Sequence, residues 1–254
     1  MKIRVLSDLH LEFVKHCAPL IESVGEDVVV LAGDIGVGTA GIEWARIAFS
    51  RREVIYVLGN HEFYDHDWVT LLDAARKAAA GSNVHVLEDA EFKFGDVTFL
   101  GATLWTDFAG MGPSTRMMVQ MMAPSYMTDY RAIRHANKLP RTNRLIPPDV
   151  LKRCISSYRY LDQRIAAETG KLVVVTHNAP TMRTMSPQYQ GDLGTALFHN
   201  NFEDLIRPPV VAWIHGHSHH NARILVNGIP VVSNQMGYPL EKAEGFDWGY
   251  CIDV

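Results

Sequence analysis

Five apolar runs in this chain end in the same way. Ile3-Arg4-Val5-Leu6 leads into Ser7-Asp8-Leu9-His10, and Val28-Val29-Val30-Leu31 into Ala32-Gly33-Asp34. Val54-Ile55-Tyr56-Val57-Leu58 leads into Gly59-Asn60-His61-Glu62, and Leu172-Val173-Val174-Val175 into Thr176-His177. Val210-Val211-Ala212-Trp213-Ile214 leads into His215-Gly216-His217-Ser218-His219. A short apolar run closed by a turn reads as a strand buried on both faces. Residues just past the carboxyl end of such a strand stand where open α/β sheets keep their chemistry. Five deliveries of Asp, Asn or His at that end point to one shared site, with Asp34 at its centre.

Between these runs the pattern changes period. Ile42, Ala45, Ile47, Ala48 and Phe49 predict a helix that starts near Thr39-Ala40, and Leu71, Leu72, Ala75 and 78–80 predict another over 67–80 capped by Asp67. A third, over 147–168, begins near Pro147-Pro148-Asp149 and carries apolar or aromatic residues at 151, 155, 158, 161 and 165, with Gly170 as its stop. Val84–Leu87, Glu91–Phe94 and Val97–Leu100 read as short strands, the last two joined by a Gly95-Asp96 turn. Asn227-Gly228 marks a type I′ hairpin between 222–226 and 229–233, and 249–254 reads as a closing edge strand. Segments 91–103 and 222–254 would form a second sheet beside the sheet of motif strands. The expected fold is therefore a four-layer αββα sandwich, two mixed β-sheets flanked by helices, in one domain spanning 1–254.

Residues 106–149 break this rhythm and read as a helical, cap-like insert. Met117/Met121 and Met118/Met122 have i,i+4 spacing, followed by Arg131, Arg134, His135, Lys138, Arg141 and Arg144. Two compatible roles present themselves: methionines filling irregular gaps against the core, and a cap at the pocket whose basic side chains meet a phosphate. The 181–200 loop, with Ser186-Pro187, Tyr189 and Gly191-Asp192, is long enough to belong to a pocket rim.

The candidate chemistry lies in the spacing of donors. Asp8 and His10 stand two residues apart, as do His217 and His219, so each pair shares one direction on an extended backbone. Four histidines in the six residues 215–220 are not a packing pattern and point to a metal. Composition narrows the partners. The net charge of −4 over 254 residues fits neither a nucleic-acid coat nor a polybasic anchor. Three scattered cysteines make no disulfide framework, and no apolar run approaches a membrane span. With no signal peptide ahead of Asp8, the expectation is a cytoplasmic protein. A small soluble substrate is expected rather than polymeric nucleic acid; oligomeric state is not legible.

Taken in order, Asp8-x-His10, Gly33-Asp34, Gly59-Asn60-His61-Glu62, His177 and Gly216-His217-Ser218-His219 resemble the motifs of calcineurin-like metallophosphoesterases, over residues 3–219. The resemblance implies two divalent transition-metal ions, with Mn the expected ion and Fe, Zn or Co as alternatives. It implies one ion held by Asp8, His10, Asp34 and His219, and the other by Asp34, Asn60, His177 and His217. Asp34 would bridge them, a bridging hydroxide would attack the ester, and His61 would act as general acid. His66, His199, His215 and His220 are implied not to be ligands. Ile35-Gly36 follows Asp34 where the protein Ser/Thr phosphatases of the superfamily carry Arg-Gly, which argues against that branch. With two carboxylates and a hydroxide against two divalent ions, the site keeps about one positive charge, which matches a phosphodiester better than a monoester. The expected activity is hydrolysis of a small phosphodiester, a nucleotide among the candidates, with a phosphomonoesterase or a non-catalytic metal-binding protein as alternatives.

Overall fold

The structure is a computed structural model describing residues 1–14, 21–136, 143–241 and 243–254. Cys17, one of the three cysteines, and Lys138 and Arg141, named above, lie outside the described residues. The five apolar runs are strands β1 (Lys2–Leu6), β2 (Val28–Ala32), β3 (Glu53–Val57), β7 (Lys171–Thr176) and β8 (Val210–His215). The remaining strands are β4 (Val84–Val86), β5 (Ala90–Phe94), β6 (Val97–Ala102), β9 (Arg223–Val226), β10 (Ile229–Ser233) and β11 (Cys251–Asp253). They form two sheets, of order β11-β1-β2-β3-β4 and β5-β6-β7-β8-β10-β9. The first has an antiparallel edge pair on one side, β11 on β1, with β4 parallel to β3 at the other edge, and the second has antiparallel pairs at both edges, β5 on β6 and β9 on β10.

Alternate residues explain why the strands are apolar on both faces. Ile3, Val5, Val28, Val30, Ile55 and Val57 pack with Val97, Phe99, Val173, Val175, Ala212 and Ile214 as the layer between the sheets. Val29, Leu31, Val54 and Tyr56 point the other way and share a cluster with Ile42 and Ala45 of α1 (Ala40–Ala48) and Leu71 and Ala75 of α2 (Leu71–Ala79). Leu172, Val174 and Trp213 join Val150, Cys154, Leu161 and Ile165 of α5 (Pro147–Ala167) on the outer face of the second sheet. The four-layer αββα sandwich is thus formed as expected.

The partition of strands differs from the sequence reading. The five motif strands do not share a sheet: β7 and β8 lie between β6 and β10, so three motifs come from one sheet and two from the other. The C-terminal strand β11 pairs with β1 rather than joining the second sheet. Parallel pairing is set by non-local contacts, which the apolar pattern of one strand does not encode. Helix α2 starts at Leu71, later than expected, and Asp67 accepts from Val69 N and Thr70 N in the turn before it. The 227–228 hairpin holds, with Asn227 and Gly228 at φ 51° and 80°.

The 106–149 segment contributes α3 (Arg116–Tyr126) and α4 (Asp129–Ala132). Helix α3 buries Val119 and Ala123, while Met117, Met118 and Met121 are 74%, 56% and 78% exposed. These methionines therefore do not fill the core. Two stripes of i,i+4 spacing run along this helix, and the smaller side chains won the inward face. No helix among the described residues is long and apolar enough to cross a membrane.

Candidate metal centre

The carboxyl ends of the two sheets meet at one edge of the sandwich, where Ser7 N donates to Asn234 O at 3.0 Å and Met236 N to Ser7 O at 3.1 Å across the sheets, and neighbouring ends within each sheet are tied in the same way. Asp8 N donates to Gly33 O and His10 N to Asp34 O, both at 3.0 Å, and Gly216 N donates to His177 O at 2.9 Å. The backbone here is not extended, as the pairing of Asp8 with His10 and of His217 with His219 assumed. Asp8, His10, Asp34, His217 and His219 all have left-handed φ, between 47° and 75°. Such values are uncommon for residues other than glycine and gather where function demands them. Glycine is needed where the chains touch. A Cβ on Gly216 would collide with Ser7 Oγ and the Asp8 carboxylate, and one on Gly33 (φ 87°) with the His177 ring.

Among the described residues the donors fall into overlapping groups that could each hold an ion: Asp8, His10 and His219; Asp34, His177 and His217; and His10, Asp34 and His61. His10 Nε2 faces His219 Nε2 at 3.0 Å, and His219 Nε2 is 3.5 Å from Asp8 Oδ1. On the other side His177 Nε2 lies 3.0 Å from Asn60 Oδ1 and 3.4 Å from Asp34 Oδ1. The outer nitrogens are engaged elsewhere: His10 Nδ1 with Glu12 (3.1 Å), His177 Nδ1 with Ala32 O (2.9 Å) and His219 Nδ1 with Glu241. That arrangement turns each Nε2 lone pair inward, as metal-holding imidazoles require. Lone pairs converging from imidazoles, carboxylates and an amide oxygen fit a pair of divalent transition ions. All seven residues predicted as ligands are therefore brought together.

Charge follows this geometry. Burial resists ionisation of Asp34, but His177, His61 and His10 beside it hold it well below the usual carboxylate range. Burial likewise resists a charge on His177, yet Asp34 and Asp8 raise it to about 10. His219, buried against Asp8 and Glu241, rises to about 9. Divalent cations must displace these protons, so binding in the chelated protein is expected to release protons and to strengthen as pH rises toward those values. In the chelated protein the same imidazolium–carboxylate pairs stabilise the fold fully below the ordinary histidine value of about 6.5. That stability is lost as pH rises through about 9 and about 10. Calorimetry in buffers of different ionisation enthalpy measures the proton release; pH-independent binding would contradict it.

Several residues that support the site were not foreseen. Glu62 is fully buried and accepts from Asp34 N (3.0 Å), Ile35 N (2.9 Å), Gly59 N (2.8 Å) and Tyr56 Oη (2.8 Å), locking the ends of β2 and β3 together. Each such donor stranded in the interior costs about 1–3 kcal/mol. Asp129 of α4 accepts from Asn60 Nδ2 at 2.9 Å and Tyr64 Oη at 2.8 Å, which sets the Asn60 amide so that its oxygen faces His177. Tyr238 Oη lies 2.9 Å from His61 Nε2, and its ring packs on His10 and His219 with centroids 4.5 and 4.7 Å apart. Glu62 stands inside the Gly59-Asn60-His61-Glu62 motif and so carried a signal; Asp129, Tyr238 and Glu241 carried none.

The calcineurin-like phosphoesterase model matches residues 1–221. The chain belongs to that family. Uncharacterized protein L509 of Acanthamoeba polyphaga mimivirus is 25% identical to it over 278 residues, covering 99% of this chain and 96% of the viral protein. Among solved structures, the phosphopantetheinyl hydrolase of Mycobacterium tuberculosis superposes with a TM-score of 0.72 at 18% identity, covering 100% of this chain and 95% of that one, a likeness of fold. Family membership and the paired donor groups make this a metallophosphoesterase fold with capacity for two divalent ions.

A cleft of ≈ 1000 Å³ opens from Asp34, Asn60, His61, His217 and His219. Tyr126, Met127 and Thr128 at the end of α3 line one part of it, and Met185, Tyr189 and Phe198 of the 181–200 loop another, so both segments border the pocket as expected. The described basic residues Arg131, Arg134 and Arg144 do not. No Lys or Arg is among its described lining residues, which include Asp192, Glu241 and Glu244. Arg131 turns instead to Pro124 O and Thr128 Oγ1, and Arg144 to Ala132 O. His199 and His220 line the cleft, but neither they nor His66 and His215 fall in a donor group. Burial lowers His199 to about 4 and His215 to about 3.

Proposed function

We propose that the chain is a dinuclear metal-dependent phosphodiesterase acting on a small soluble substrate. In this reading Asp8, His10, Asp34 and His219 hold one ion, and Asp34, Asn60, His177 and His217 the other, with 106–149 as an insert in a single domain. Mn is the favoured ion; Fe, Zn or Co suit the same donors. When bound, such a pair lowers the pKa of water and clamps the phosphoryl oxygens. The chain's own part is to hold the ester and supply a proton. His61 faces the cleft beside Asp34, with its backbone N–H bonded to Asp34 Oδ1 at 2.8 Å, and is the general acid for the leaving oxygen.

The observation that carries the diester reading is the cleft wall. A monoester brings close to two negative charges at neutral pH, and the described lining offers no Lys or Arg to meet the second. Its carboxylates and aromatic rings are better suited to a singly charged phosphate bearing an uncharged or aromatic substituent. Nucleotide diesters belong to that class. So do phosphopantetheinyl esters, the group in the name of the M. tuberculosis protein, and no basic stripe for polymeric nucleic acid is among the cleft's described lining residues.

The test has two stages. Turnover of bis-p-nitrophenyl phosphate with Mn²⁺ should vanish with EDTA and return with metal; a loaded, folded protein without turnover would favour the binding-protein alternative. A kcat/KM panel of cyclic nucleotides, glycerophosphodiesters, phosphopantetheinyl esters, mononucleotides and sugar phosphates should then favour diesters. A preference of about tenfold or more for monoesters, roughly 1.4 kcal/mol, would overturn the ranking.

A further inference from the structure

Glu12 stands in the single turn Leu11–Phe13, two residues past His10, with its side chain 17% exposed. One of its oxygens, Oε1, lies 3.1 Å from His10 Nδ1 and 2.9 Å from His61 Nδ1. The two rings meet edge to face, with centroids 4.4 Å apart. A carboxylate only accepts, so both Nδ1 atoms must carry hydrogen, whatever charge either ring bears. Their other nitrogens point to different tasks. His10 Nε2 faces the donor group with Asp8 and His219, while His61 Nε2 lies at Tyr238 Oη in the wall of the cleft.

We propose that Glu12 is a positioning residue shared by these two rings: through one oxygen it sets the tautomer and orientation of His10 in the metal centre and of His61 at the cleft. The proposal rests on the metal-centre reading of His10 and adds a physical link between metal holding and proton delivery. The nitrogen that faces each partner is decided by the hydrogen bond at the opposite nitrogen. Losing the acceptor lets the Nε2–H form compete in both rings at once. A neutral ring with Nε2–H has no lone pair there for an ion, and its Nδ1 no longer donates outward. Glu12→Ala therefore damages two functions, whereas Glu12→Gln keeps an oxygen able to accept from both rings and removes only the charge.

The experiment reads tautomers first, by long-range ¹H–¹⁵N correlation on the full chain, zinc-loaded and after chelation, at a pH where the rings are neutral. The expected result is Nδ1–H for His61 in both states and for His10 after chelation, kept in Glu12→Gln and lost in Glu12→Ala. Calorimetry with Mn²⁺ should show affinity at one site falling about 10–100-fold in Glu12→Ala and less in Glu12→Gln, the span usual for groups that orient metal ligands. Unchanged tautomers in Glu12→Ala would overturn the proposal. If that variant does not fold, an Nε2–H tautomer for either ring in the unmodified chain overturns it. The tautomer measurement after chelation needs neither metal nor turnover, so failure of the phosphodiesterase reading and failure of this one are separable.

Discussion

Replacing Asp34 with alanine is expected to strip both ions from the protein and abolish turnover. Its carboxylate belongs to two of the three donor groups, one with His177 and His217 and one with His10 and His61. Oδ1 is 3.4 Å from His177 Nε2, and Oδ2 is 3.9 Å from the Nε2 atoms of both His10 and His61. His10→Ala should by contrast weaken mainly the group shared with Asp8 and His219. The loss of activity in Asp34→Ala should exceed the ~10²–10³-fold typical of deleting one electrostatic contact, because the whole cationic centre goes with it. Stability should also fall. Asp34 Oδ1 accepts from His61 N at 2.8 Å, and a stranded buried donor costs about 1–3 kcal/mol. Asp34→Asn keeps an acceptor and separates that structural cost from the loss of charge. Metal content per chain and urea denaturation measure the two effects. A folded Asp34→Ala protein that still carries its full metal complement would refute the shared carboxylate.

His61→Ala is expected to cost about 10²–10⁴-fold on an alkyl phosphodiester, the span usual for a general acid, and much less on a p-nitrophenyl ester. A poor leaving group needs its proton in the transition state; p-nitrophenolate does not. The ring is placed for this, with Nε2 toward the cleft at Tyr238 Oη and Nδ1 held by Glu12. Burial opposes a charge on it, but in the chain without ions Asp34 and Glu12 raise it above the ordinary histidine value, which favours its acid form there. Equal losses on the two esters would show that His61 orients the phosphate, or joins His10 and Asp34 around an ion, rather than giving up a proton. Metal content of the variant distinguishes those two outcomes.

What the sequence by itself determined was the set of motif strands and the identity of the candidate donors. A parallel strand covered on both faces is mostly apolar, so β2, β3, β7 and β8 announced themselves as unbroken runs and β1 as a run interrupted by Arg4, whose buried guanidinium donates to Trp248 O and Glu22 O. Metal donors are side-chain types, and Asp8, His10, Asp34, Asn60, His177, His217 and His219 stood out because each follows such a run. Only the tertiary structure decided how these pieces meet. Which sheet receives β7 and β8 depends on partners far along the chain. The shared direction of paired donors comes from left-handed backbone at Asp8, His10, His217 and His219, a conformation imposed by packing rather than by residue type. Two stripes on α3 were equally spaced, and the inward one was chosen by fit, leaving Met117, Met118 and Met121 in solvent. The groups that aim the donors, Glu12, Asp129, Tyr238 and Glu241, reach the centre from three separate stretches of chain. A hydrogen bond across such sequence distances leaves no periodic trace, because its energy is realised only once the fold has brought both partners out of water.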